Sequence, residues 1–121
     1  MKKVLVILML LFAGCSKQEA SYQQISMAEA KDRMLQSSDY MIVDVRTVEE
    51  YNEGHIPGAI NIPNESITAA PSELPDKDQV LYVYCRSGNR SKQASSKLAK
   101  LGYTNIYEMG GISSWPDEIE K

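Results

Sequence analysis

In the stretch Val83–Ser91 (VYCRSGNRS), a cysteine closes an apolar run, and arginines stand one and five residues beyond it. These residue types suit nucleophilic attack on an anion. Thiolate is the attacking form of cysteine, and guanidinium forks hold planar or tetrahedral oxyanions in bidentate fashion. Ser87, Gly88 and Asn89 are small or turn-prone, so successive N–H groups can curl inward into an anion-binding nest. A helix starting there would add free N–H groups and a partial positive charge. A helix terminus contributes about 0.3–2 kcal/mol and each hydrogen bond to a charge about 1.5–3 kcal/mol, enough to favour thiolate near neutrality. Arginine is disfavoured at a helix start, so two of them there ask for a compensating anion. The candidate site is Cys85 as nucleophile, with Arg86, Ser87, Gly88, Asn89 and Arg90 as its binding loop. A core thiol flanked by solvated charges is the competing reading, and composition does not separate the two.

The site needs elements that deliver the sulfur to an edge. Gln79–Tyr84 (QVLYVY) is β-branched and aromatic and apolar on both faces, as a buried central strand would be. From Asn89 to Leu101, the residues Ala94, Leu98 and Leu101 share one helical face, and Gly102 falls where a left-handed C-cap belongs. Cys85 is thereby placed at the C-terminal end of a central strand, where open α/β sheets bind ligands. Upstream, Ser26–Glu29 and Thr47–Glu50 fit capping boxes, and Met27, Ala30 and Met34 recur at helical spacing. Tyr40–Val45 reads as a strand, the second helix stops near Gly54, and Gly58–Ile62 is a brief strand ended by Pro63. Residues 64–78 read as a loop with one helical turn. Asn105–Glu108 is a last short strand, and Gly110-Gly111 turns into a helical end segment holding Trp115. No internal repeat interrupts this β-α-β-α-β-loop-β-α-β-α string, which predicts one α/β domain with a mostly parallel sheet.

The chain has 121 residues, with 13 Lys and Arg against 16 Asp and Glu. Lys2 and Lys3 precede an apolar run, Val4–Phe12, that is too short to span a bilayer, and Ala13-Gly14 then lead into Cys15. Read as a leader, residues 1–14 would leave 11 basic residues against 16 acidic ones, a balance of −5. No basic surplus exists to neutralise phosphates, which argues against nucleic acid as a partner. One histidine and two cysteines are too few for a metal site. With Cys15 otherwise engaged, Cys85 is a lone thiol, either reactive, paired between molecules, or buried and inert.

Two resemblances follow from these residues. Leu11-Phe12-Ala13-Gly14-Cys15 resembles the lipobox of bacterial lipoproteins, although Phe12 stands where that pattern usually has leucine. It implies cleavage before Cys15, lipid on Cys15, a short tether over residues 15–21 and a domain over 22–121. The destination would be the cell envelope outside the cytoplasm, and the outer membrane facing the periplasm in a Gram-negative host. Between Ile25 and Trp115 the chain resembles the single-domain rhodanese-like family. The resemblance is carried by Asp44-Val45-Arg46 with Glu50-Tyr51, by Gly54–Pro63 (GHIPGAINIP), by Tyr84–Ser91 (YCRSGNRS), and by Gly110-Gly111 with Trp115.

The second resemblance implies a three-layer fold with about five strands flanked by helices, and a sulfurtransferase. Cys85 would take sulfane sulfur from a small anionic donor such as thiosulfate, hold it as a persulfide cradled by the loop amides, and pass it to cyanide or a thiol. Arg86 and Arg90 would meet the donor. No metal or organic cofactor is implied, and the chain is expected to act as a monomer. Related phosphatases use Cys-x5-Arg, whereas Cys85 to Arg90 is one residue shorter and suits a sulfur atom better than a phosphoryl group. The family pattern also implies an Arg46–Glu50 ion pair. His55 and Trp115 read as structural, because no partner geometry supports catalysis by the histidine and a buried aromatic chiefly contributes area. The alternative is a sulfur-relay module that docks to a partner protein with little small-molecule turnover.

Overall fold

The computed structural model describes residues 21–121, so Cys15 and the leader assigned to residues 1–14 lie outside the described residues. Strand β4 (Leu81–Cys85) is buried along its whole length and occupies the middle of the sheet. Its side chains alternate as a period of two requires. Leu81, Val83 and Cys85 join Ala94 and Leu98 of helix α3 (Asn89–Lys100) in one core. Tyr82 and Tyr84 join Met27 and Ala30 of helix α1 (Met27–Gln36) in the other. A strand buried on both faces must be apolar throughout, which is why QVLYVY shows no polar alternation.

Around β4 lie β1 (Gln23–Gln24), β2 (Met41–Asp44), β3 (Ile60–Asn61) and β5 (Ile106–Gly111). All neighbours pair in parallel, in the order β1-β5-β4-β2-β3. Helix α2 (Val48–Glu53) and a 3-10 turn at Asn64–Ser66 complete the front half. The α/β fold with a parallel five-stranded sheet is the one expected. Three local expectations differ. Glu29 does not close a capping box: Ser26 Oγ accepts the Glu29 N–H at 3.0 Å, but the Glu29 carboxylate turns to Arg33 at 2.7 Å. β5 runs through Gly110 and Gly111 rather than turning there. The end segment forms only a 3-10 turn, Ile112–Ser114, before Pro116 limits any further helix.

The expected Arg46–Glu50 pair is also absent. Arg46 and Asp44 are 5 % and 0 % exposed, and Arg46 Nη2 donates to Asp44 Oδ2 at 2.7 Å and to the Gly54 carbonyl at 2.6 Å. Tyr84, the cross-strand neighbour of Asp44, donates its hydroxyl to the same Oδ2 at 2.6 Å and accepts the Ile56 N–H at 3.0 Å. Burial and the adjacent carboxylate keep that phenol protonated far above its ordinary range. A buried guanidinium needs a partner already inside, and Asp44, two residues away, fills that role. Asp44 is thus a clasp joining β2, β4 and the end of α2. Asp44→Asn should cost about 3–5 kcal/mol, because it strands the buried Arg46 charge. Urea denaturation measures the cost, and a loss below about 1 kcal/mol would contradict this role.

Candidate active site

β4 ends at Cys85, and the chain turns through Arg86-Ser87-Gly88 into α3. The turn depends on two glycines. Gly88 has φ +105°, a left-handed conformation that side chains disfavour. Gly111, the cross-strand partner of Cys85, leaves room for the Arg86 backbone, which sits where a Cβ at position 111 would stand. The loop therefore lies directly against β5. As a result, the Gly88 N–H donates to Cys85 Sγ at 2.9 Å. Among the described residues this is the one loop amide that meets the bare sulfur, where a fuller ring was expected. The side chains of Ser87 and Asn89 face solvent, and Gly88 is buried.

Behind the sulfur are two residues that the sequence reading missed. Cys85 Sγ lies 3.4 Å from Ser91 Oγ, and Ser91 Oγ lies 2.5 Å from Glu108 Oε2 and 3.0 Å from the Gly88 carbonyl. Ser91 has one hydroxyl proton, and its shortest contact is with Glu108. The thiol hydrogen then points to Ser91 and the Ser91 hydrogen to the carboxylate. Glu108 is 3 % exposed and also accepts the Gly110 N–H at 2.9 Å. A signal existed for both. Helical side chains tilt toward the N-terminus, which aims Ser91 back at the loop. Glu108 is the only charge in the last strand.

Arg90 is half-buried and forms a two-pronged pair with Glu50 of α2, Nη1 to Oε1 at 2.8 Å and Nη2 to Oε2 at 3.1 Å. Arg86 is mostly exposed, with Nε 3.4 Å from Glu50 Oε2. Glu50 also completes the α2 capping box, accepting the Thr47 N–H at 3.0 Å. The hydrogen bonds from Arg90, aided by those from Thr47, hold the Glu50 carboxyl at about 2. His55 is structural in its contacts: its ring stacks on Tyr51 at 3.8 Å, and Nδ1 donates to the Tyr51 carbonyl at 2.9 Å. Trp115 is partly buried and packs against the second core. A cleft of about 680 Å³ opens beside the loop, lined by Ser26, Glu29, Ser87, Gly88, Lys92 and Ser114 among others.

At 1 % exposure Cys85 has the burial of a core thiol. What sets it apart is the aimed amide, the helix start that follows and the Arg90 guanidinium, near enough to interact with the sulfur's charge. That arrangement can stabilise an anionic sulfur and admit a small electrophile bearing negative charge.

The profile described as Rhodanese-like domain matches residues 26–118. The chain is 38% identical over 93 residues to a sulfurtransferase of Allochromatium vinosum, covering 76% of this chain and 86% of that protein. It is 39% identical over 71 residues to the thiosulfate sulfurtransferase PspE of Escherichia coli, covering 58% and 68%. Among solved structures it is similar to the rhodanese-like domain of an Anabaena protein, with 29% identity and a TM-score of 0.72 over 85% of this chain and 80% of that one. Other relatives are longer: the chain spans 22% of an adenylyltransferase and sulfurtransferase of Meyerozyma guilliermondii and 57% of a putative sulfur carrier protein of Bacillus subtilis. The chain belongs to the rhodanese-like family, and a sulfur-transfer role follows at that level.

The Glu50 pair carries a pH signature. Its carboxyl is lowered from the usual 4.5 to about 2, so its contribution to stability is complete above pH 4.5 and is lost as pH falls toward 2. The stability gap between the wild type and Glu50→Gln, read from urea melts, should hold steady from pH 7 to 5 and shrink by pH 3. A gap of equal size at pH 6 and pH 3 would contradict the ion pair.

Proposed function

We propose that the protein is a sulfurtransferase working through a persulfide on Cys85. The observation that carries this reading is the Gly88 N–H directed at Cys85 Sγ, at the C-terminal edge of the central strand. The Cys85 thiolate attacks the outer sulfur of a sulfane donor such as thiosulfate. A Cys85 S–S bond forms, the donor S–S bond breaks, and sulfite leaves with the electron pair. Cyanide or a thiolate then attacks the outer sulfur of the persulfide and returns Cys85 as thiolate. Arg90 and Arg86 face the incoming anion, and the loop from Arg86 to Arg90 surrounds the transferred sulfur. Cys85 supplies the covalent chemistry, so the cycle calls for no metal or organic cofactor.

The near-complete burial of Cys85 favours a second reading, a sulfur relay in which a docked partner opens the loop and small donors turn over slowly. In both readings the mature chain begins at Cys15, carries lipid there and works as a monomer at the envelope surface. An intact mass showing loss of residues 1–14 and acylation at Cys15 tests the anchor, and an intact Met1 would overturn it.

Cyanolysis with thiosulfate tests the reaction. Cys85→Ser should abolish thiocyanate release, a fall of at least about 10³-fold as expected for removal of a covalent nucleophile. Activity retained in that variant would overturn the proposal.

A further inference from the structure

The guanidiniums assigned to the donor are already engaged. The Arg90 fork, which a bidentate oxyanion would use, is filled by the chain's own Glu50 carboxylate at 2.8 and 3.1 Å, and Arg86 Nε approaches the same Oε2 at 3.4 Å. Glu50 is not free to swing aside. Its Oε1 accepts the Thr47 N–H at 3.0 Å and lies 3.1 Å from Thr47 Oγ1, so moving it would break the reciprocal half of the α2 capping box. With Arg90 beside it, this carboxyl stays ionised throughout the neutral range. The charges around the sulfur can then be counted: two guanidiniums against the Glu50 carboxylate, the Glu108 carboxylate behind Ser91 and the thiolate leave a balance of −1. A dianion finds no surplus positive charge there and must compete with a preformed ion pair. A donor with one negative charge or none gives up much less.

We infer that Glu50 determines donor class at this site, favouring sulfane-sulfur donors with at most one negative charge, thiol persulfides among them, over dianionic thiosulfate. The inference rests on the sulfur-transfer reading above. For a thiol persulfide the step balances: the Cys85 thiolate bonds to the outer sulfur, the donor S–S bond breaks, and the donor thiolate leaves with the electron pair. Glu50 acts here through Arg90 and Arg86, as a specificity residue rather than a reacting group.

The test compares thiosulfate with methanethiosulfonate, which offers the same sulfane sulfur with one charge fewer and releases methanesulfinate. Cyanolysis is measured with both donors on the wild type, Glu50→Gln and Glu50→Asp. Glu50→Gln keeps the capping oxygen and removes the charge. It should raise kcat/KM for thiosulfate relative to methanethiosulfonate by about tenfold or more at low ionic strength, mainly through KM. That gain should shrink in about 0.5 M salt. Glu50→Asp, which keeps the charge, should hold the ratio near the wild-type value. A merely structural role would slow both donors together, and a ratio unchanged within about twofold in Glu50→Gln would overturn the inference while leaving sulfur transfer intact. A wild-type protein that accepts sulfur from neither donor would overturn the sulfur-transfer reading and this inference with it.

Discussion

Position 111 cannot carry a side chain, because the Arg86 backbone occupies the space a Cβ would need. This steric fact organises the site. It lets the loop after β4 lie against β5 instead of bulging into solvent, and the β4–β5 register shifts between Val83 and Cys85 to allow it. With the loop pressed down, a left-handed Gly88 directs its N–H at the sulfur and starts α3 immediately afterwards. The nucleophile, its hydrogen-bond donor and the helix start are placed by backbone alone, so they are preorganised before any substrate arrives.

Two sets of polar side chains near the strand ends have different duties. Asp44, Arg46 and the Tyr84 hydroxyl form a desolvated cluster beneath the strand ends, and it fixes β2, β4 and the end of α2. None of the three side chains hydrogen-bonds to the Cys85 sulfur. Glu50, Arg90 and Arg86 lie nearer the surface and span from α2 to the loop. The first set is costly to disturb because its charges are buried. The second lies nearer solvent, and Glu50 is held in it by Thr47 as well as by Arg90. Glu108 belongs to neither. It is a buried carboxylate satisfied by the Ser91 hydroxyl and the Gly110 N–H, directly behind the nucleophile.

Much of this was legible in the order of residues. QVLYVY declares a strand buried on two faces, Thr47–Glu50 a capping box, and Gly102 a left-handed cap, and each forms. The placement of Cys85 at the strand end follows from the same periodicity. Partner choice was harder to read. Glu50 has Arg46 four residues upstream and Arg90 forty residues downstream, and the family resemblance points to Arg46 where the fold pairs it with Arg90. The tertiary packing that buries Arg46 against Asp44 is decided by sheet register, which no short window contains. The turn expected at Gly110-Gly111 failed for a similar reason: β5 continues through both glycines, and the Arg86 backbone packs on Gly111, a contact between residues far apart in the chain.

The central claim is that Cys85 Sγ, held under the Gly88 amide, accepts and keeps a sulfur atom. Mass spectrometry of the protein after brief exposure to a sulfane donor and removal of excess reagent tests this most directly. The account predicts a gain of about 32 Da on the peptide containing Cys85, lost on treatment with cyanide or a thiol. An unmodified Cys85 after exposure to both dianionic and monoanionic donors would contradict it.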